Sequence, residues 1–122
     1  MSIQPLRGQV YFANLNPPEG IEAGHEHKGD RKPVLVLQVD KLNRVFSTVV
    51  VVPLTTTLKH EHLPSMVKID RVPGGILTEP CLAICDQVRA LDKRKFRELC
   101  GQLPARDMDR VAEVVRAILG FP

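Results

Sequence analysis

The sequence predicts a mainly β domain with one helix: a small antiparallel barrel or curled sheet capped by an amphipathic C-terminal helix. Three observations carry that prediction. Short apolar or alternating runs recur at close spacing with turn residues between them, the pattern of several short strands joined by tight connections. Two of the runs are apolar almost throughout, as strands covered on both faces are. The hydrophobic period becomes helical only once, after Pro104.

Taken in order, residues 8–15 alternate polar and apolar side chains around Tyr11, Phe12 and Ala13 and read as a half-buried strand, which stops at Asn16-Pro17-Pro18. Residues 16–31 hold two prolines, three glycines and many charges, and form the longest irregular segment. Pro33 opens the run Val34 to Val39, and after a short polar connection through Asn43 a second apolar run covers residues 47–54; both read as central strands. A polar connection with His60-Glu61-His62 and Pro64 leads to a short alternating strand at residues 65–70, and Pro73-Gly74-Gly75 makes a sharp turn. Residues 81–84 are apolar and run into Asp86-Gln87-Val88-Arg89, which reads as one strand whose end turns polar before the charged turn Asp92-Lys93-Arg94-Lys95. From Pro104, Met108, Val111, Val115, Ile118 and Leu119 share one helical face and Asp109, Arg110, Glu113 and Arg116 the other. Pro104 suits the first turn, Asp107 and Asp109 favour the positive N-terminal end, and Gly120 before Pro122 suits the stop.

A chain of 122 residues is long enough for one domain with a real core and too short for two, so residues 1–122 are expected to form a single domain. With 43% hydrophobic and 25% charged residues and no apolar run of membrane-spanning length, a soluble protein without membrane contact is expected. Residues 1–8 lack the apolar stretch of a secretory signal, which points to the cytoplasm. Three cysteines in no redox or zinc spacing read as buried free thiols. The net charge of +3 is compatible with a polyanionic partner, while one tyrosine, four phenylalanines and no tryptophan argue against an aromatic platform for bases.

Three polar clusters sit where strands begin or end: His25 to Lys32, Thr55 to Thr57, and Asp86 to Arg89. Brought to one rim, they would combine acid and base groups, hydroxyls and cations, the set that phosphodiester cleavage needs. Each also has a plainer reading, as a solvated loop, a strand end of high β propensity or a charged face. The triplets His25-Glu26-His27 and His60-Glu61-His62 offer donors for a four-ligand metal site, but both fall in loops without rigid support, and no metal or other cofactor is expected.

Five short motifs then appear in a fixed order: Arg7-Gly8-Gln9-Val10-Tyr11, Asn14-Leu15-Asn16-Pro17, the run Gly24-His25-Glu26-His27-Lys28-Gly29-Asp30-Arg31-Lys32-Pro33, Val52-Pro53-Leu54-Thr55, and Cys85-Asp86-Gln87-Val88-Arg89-Ala90-Leu91-Asp92. In that order and over almost the whole chain, the sequence resembles the MazF/PemK/Kid toxins, related in fold to the gyrase poison CcdB. The resemblance implies an SH3-like barrel that forms a homodimer and cuts single-stranded RNA selectively and without metal. It also implies a partner, an antitoxin with a flexible tail laid across the RNA groove. The substrate's own 2′-hydroxyl would attack the adjacent phosphate, leaving a 2′,3′-cyclic phosphate and a 5′-hydroxyl.

Carried over residue by residue, the resemblance implies His25, Glu26 or Asp86 as base, Arg31 or Lys32 as acid or phosphate stabiliser, and Thr55 as a hydroxyl donor to phosphate. Lys28, Thr56, Gln87 and Arg89 would contact RNA. The Kid branch has an Arg two positions before the Asp of the last motif, where this chain has Ile84, and this favours a MazF-like use of Arg and Thr. One extra residue before Pro33 splits the family's cation position: counting from Pro33 selects Lys32, counting from Gly29 selects Arg31. The planar guanidinium, which matches phosphate bidentately, favours Arg31, with Lys32 as supporting charge. Two other readings stand beside this one. A gyrase poison of the CcdB type acts through C-terminal residues that include a Trp, whereas this chain ends Leu119-Gly120-Phe121-Pro122 and has none. A barrel that only binds RNA or protein is the other.

Overall fold

The computed structural model describes residues 3–15 and 31–122. The Asn16-Pro17-Pro18 stop and the Gly24-to-Asp30 motif lie outside the described residues. Seven strands form one antiparallel sheet: β1 (Gln9–Ala13), β2 (Lys32–Val36), β3 (Thr48–Thr55), β4 (Met66–Ile69), β5 (Cys81–Ile84), β6 (Arg89–Asp92) and β7 (Phe96–Gln102). A four-residue helix, α1 (Asp40–Asn43), joins β2 to β3, and α2 (Ala105–Leu119) ends the fold. The pairing path runs β4-β5-β3-β2-β1-β7, with β6 on β3. Its ends, β4 and β7, are not paired with each other, so the barrel is a strongly curled sheet that stays open. Among the described residues no helix is long and apolar enough to cross a membrane.

The apolar strands behave as their composition dictates. All five residues of β2 are buried, and so are Val49 and Val51 to Thr55 of the eight in β3. Alternation sends Val10, Leu35, Val52 and Leu54 to one face, where they pack with Val67, Ile69 and the helix residues Met108, Val111 and Val115. Tyr11, Ala13, Val34, Val36, Val49 and Val51 go to the other face and meet Leu91 and Phe96. Each buried helix side chain stabilises the docking of α2 by about 2 kcal/mol. Gly120, left-handed at φ 76°, ends that helix as its sequence predicts.

Four features depart from the sequence reading. The apolar face of α2 does not reach its end: Ile118 and Leu119 are 42% and 53% exposed, because the last turn extends past its packing partners. Residues 81–92 are not one strand, since a 3-10 turn at Cys85–Gln87 separates β5 from β6. Both strands lie along the same edge of β3, β5 on Leu54 and Thr55 and β6 on Thr48 to Val51. The gap falls at Val52 and Pro53, and Pro53 has no N–H to give a ladder. Strand β7 was masked by its charges and by irregular pairing with β1, whose register shifts twice and breaks the alternation. Its exposed Arg97 and Glu98 suit an edge that must not pair with another chain. Helix α1 is one turn, too short for any period; its buried Asn43 exchanges hydrogen bonds with Gln38.

Cys81, Cys85 and Cys100 are buried and free. Burial, with the Asp107 charge adding to it, pushes the Cys81 thiol up to about 12. Burial and then Asp86 push Cys85 up to about 12. Burial and then Glu98 push Cys100 up to about 11, against smaller opposing effects of a hydrogen bond with the Phe12 backbone and the Arg31 charge. The ordinary thiol value is 9.0. Above it the unfolded chain gives up protons that the folded chain keeps, so stability is full below pH 9 and declines as the pH rises through these raised values. Iodoacetamide at pH 8 is expected to label the native protein slowly and the urea-unfolded chain at all three thiols; fast labelling of the native protein would contradict their burial.

Candidate active site

Antiparallel order decides which side chains meet. The C-terminal end of β1, the N-terminal end of β2, the C-terminal end of β3 and the N-terminal end of β5 all fall at one rim of the sheet. A cavity of about 270 Å³ opens there, lined by Phe12 of β1, Arg31, Lys32 and Pro33 at the start of β2, Thr55 and Thr56 at the end of β3, and residues 76–79 before β5.

The β2–β3 register pairs Val34 with Pro53. Carried two residues further, the same register sets Lys32 opposite Thr55, with both side chains on one face. Both are buried, at 7% and 3% exposure. The Thr55 hydroxyl oxygen accepts a hydrogen bond from the Thr57 backbone N–H at 3.1 Å, which leaves its O–H to donate into the cavity. An ammonium held in such a place acts on an arriving anion more strongly than an exposed one, because the surrounding dielectric is lower.

Arg31 is held differently. It stands in the bend just before β2, with its side chain 58% exposed. Its Nη2 donates to Glu98 Oε1 of β7 at 2.6 Å, and its guanidinium lies 4.1 Å from the centre of the Phe12 ring. One N–H of the guanidinium is thus given to Glu98, and the cation rests against the Phe12 ring. Lys32, as the first residue of β2, has the fixed direction of a strand residue, which is the outcome of counting from Pro33.

Two of the three polar clusters therefore meet. The third does not line this cavity. Leu82 of β5 pairs with Thr55, and from there the chain runs back along β3, so that Asp86 and Gln87 sit in the 3-10 turn and Arg89 lies opposite Val51. Asp86 is exposed; Gln87 and Arg89 are half-buried, and the Arg89 Nη1 is buried without a hydrogen-bond partner. His25, Glu26, His27 and Lys28 lie outside the described residues. His60 and His62 are in the turn between β3 and β4.

The sequence reading missed Phe12, Ile76, Thr78 and Glu79 in the cavity wall and Glu98 behind Arg31. Glu98 is separated from Arg31 by 67 positions, and no local pattern announces the pair. Glu79-Pro80 before an apolar run was the one available signal, since the residue before a proline is confined to extended conformations and so has a restricted direction.

Residues 6–119 match the family described as PemK-like, MazF-like toxin of type II toxin-antitoxin system. The chain is 34% identical over 115 residues to Endoribonuclease EndoA of Bacillus subtilis (strain 168), covering 94% of both. It is 30% identical to Endoribonuclease MazF of Staphylococcus saprophyticus, covering 94% of this chain and 91% of that one. Among solved structures it superposes on MazF (Form-I) from Deinococcus radiodurans with a TM-score of 0.76 at 27% identity, over 98% of this chain and 99% of that one. It also superposes on an endoribonuclease in complex with its cognate antitoxin from Mycobacterial species, with a TM-score of 0.73 at 28% identity over 97% of each.

Proposed function

The chain belongs to the family of PemK-like, MazF-like toxins of type II toxin–antitoxin systems, and on that premise we propose that it is an endoribonuclease that cuts single-stranded RNA in the cytoplasm. It acts as a homodimer and is held inactive by a cognate antitoxin. The observation that carries this reading is the buried Lys32 and Thr55 pair in a cavity at the sheet rim. The pair suits a reaction in which the protein supplies no nucleophile. The ribose 2′-oxygen attacks the adjacent phosphorus, the bond from phosphorus to the 5′-oxygen breaks, and a 2′,3′-cyclic phosphate and a 5′-hydroxyl result.

Thr55 donates its O–H to a non-bridging phosphate oxygen as negative charge builds on it. Lys32 stabilises the same charge and gives a proton to the departing 5′-oxygen. Arg31, anchored by Glu98 and Phe12, contacts a neighbouring phosphate and positions the strand. The sequence preference for Arg31 as the reacting cation thus gives way to Lys32, on the support of the strand register. Thr56 lines the same cavity and contacts RNA, Gln87 and Arg89 contact RNA outside it, and Lys28 is also assigned to RNA. All of these side chains need only the substrate, and the reaction requires no metal.

The test is cleavage of single-stranded RNA by the purified protein in EDTA, with mapping of both new ends. Cyclic phosphate and 5′-hydroxyl ends are expected, with an all-deoxy strand of the same sequence left whole. Intact RNA across varied sequences, or cutting of the deoxy strand, would sink the reading.

A further inference from the structure

We propose that Glu79 is the general base of this cavity, the group that takes the proton from the attacking 2′-hydroxyl. The inference deepens the ribonuclease reading and rests on it. Among the described residues Glu79 is the one carboxylate that lines the cavity with Lys32 and Thr55. Glu98, the nearest rival by position, is committed to Arg31 at 2.6 Å. Among the described residues no hydrogen bond or ion pair holds the Glu79 carboxylate, which leaves its oxygens to a substrate hydroxyl.

Its place follows from the chain on either side. Leu77, buried at 7% exposure, anchors the segment two residues before, and β5 begins two residues after, at Cys81. Pro80 restricts the backbone at Glu79 itself. Since β5 enters its ladder with Leu82 opposite Thr55, the residues just ahead of it pass the end of β3. Glu79 is thereby brought to a cavity whose other charged lining residues, among the described residues, are the cations Arg31 and Lys32, together with Thr55, Thr56 and Thr78. A phosphodiester seated between them has a proton acceptor and a proton donor within one cavity, as in-line displacement needs.

The step balances. The 2′-O–H bond breaks and its proton passes to the Glu79 carboxylate, while the oxygen lone pair forms the new bond to phosphorus. The bond to the 5′-oxygen breaks with its electron pair, and that oxygen takes a proton from the Lys32 ammonium. Solvent then returns a proton to Lys32 and removes one from Glu79.

Glu79→Gln keeps the size and exposed setting of the side chain and removes the base. With RNA cleavage followed under single-turnover conditions, the rate is expected to fall about a hundredfold and the acid limb of the pH–rate profile to disappear. Affinity for an uncleavable strand with one 2′-deoxy sugar at the cut site, and the melting temperature, should stay at wild-type values. Loss of the acid limb in Glu26→Gln or His25→Ala, with Glu79→Gln retaining it, assigns the base to the Gly24-to-Asp30 motif and overturns the proposal. A Glu79→Gln protein with the wild-type rate and acid limb, or one defective only in affinity, overturns the proposal. A wild-type protein that fails to cut RNA overturns the ribonuclease reading itself, a result distinct from either.

Discussion

Replacing Lys32 with alanine is expected to lower the rate of RNA cleavage by about a thousandfold, the loss associated with a positioned proton donor that also stabilises charge in the transition state. Arg31→Ala is expected to cost about tenfold, mostly as a higher KM, because an exposed guanidinium already bound to Glu98 positions phosphate and does not act on the reacting one. The two effects should separate with salt as well. The Arg31 contribution is screened as ionic strength rises, whereas the buried Lys32 keeps its influence.

A substrate with sulfur in place of the bridging 5′-oxygen sharpens the assignment, since a thiolate leaves without a proton. Lys32→Ala should recover most of its lost rate on that substrate, and Thr55→Ala should not, because its hydroxyl serves a non-bridging oxygen. Melting temperatures of the variants show whether a change of rate is a change of fold. Should Arg31→Ala prove the slower enzyme and alone respond to the sulfur substrate, the roles of the two cations are reversed.

The contrast between these neighbours shows what the sequence makes legible. Binary pattern exposed β2 and β3 because their burial on both faces leaves no choice of residue type, and α2 because Met108, Val111 and Val115 keep a helical period. That Thr55 and Lys32 stand at strand ends was legible too, whereas their meeting at one rim follows from the pairing of β1, β2, β3 and β5. Direction was not legible. Whether Arg31 or Lys32 faces Thr55 depends on where β2 begins, a matter of ladder register with β1 and β3 that the two counts, from Pro33 and from Gly29, left open. Glu98 was hidden for a related reason, since it meets Arg31 from a strand distant in the chain, and Glu79 because only the pairing of β5 with β3 brings its segment to the cavity. Asp86 stands apart from the cavity because a 3-10 turn at Cys85–Gln87 takes the place of the continuous strand that was expected.

Gly101→Ala is expected to cost about 3 kcal/mol, the upper range for forcing atoms into packed space, and to lower the melting temperature by about 12 °C in a domain of this size. A Cβ at Gly101 would overlap the Pro73 carbonyl oxygen, and one at Gly74 would overlap the Cys100 carbonyl oxygen. Neither obstacle is the movable tip of a side chain. Here the turn after β4 crosses β7 with backbone directly on backbone, and the Gln102 N–H donates to the Pro73 carbonyl at 3.2 Å. That crossing bridges the two unpaired ends of the curled sheet. Both glycines also have positive φ, 145° at Gly74 and 156° at Gly101, so Gly74→Ala should be about as harmful. Gly75 is the control. It is also left-handed, at φ 83°, but a Cβ there meets nothing within 4 Å, and Gly75→Ala should cost only about 1 kcal/mol. Equal losses at positions 75 and 101 would mean that backbone conformation alone is responsible and that the close crossing contributes nothing. The larger loss at 101 carries a functional consequence, because the segment leaving this crossing supplies Leu77 to the core and Thr78 and Glu79 to the cavity. At temperatures where Gly101→Ala remains folded, its cleavage rate should fall further than that of Gly75→Ala, since a shifted Pro73 displaces the wall that faces Lys32 and Thr55.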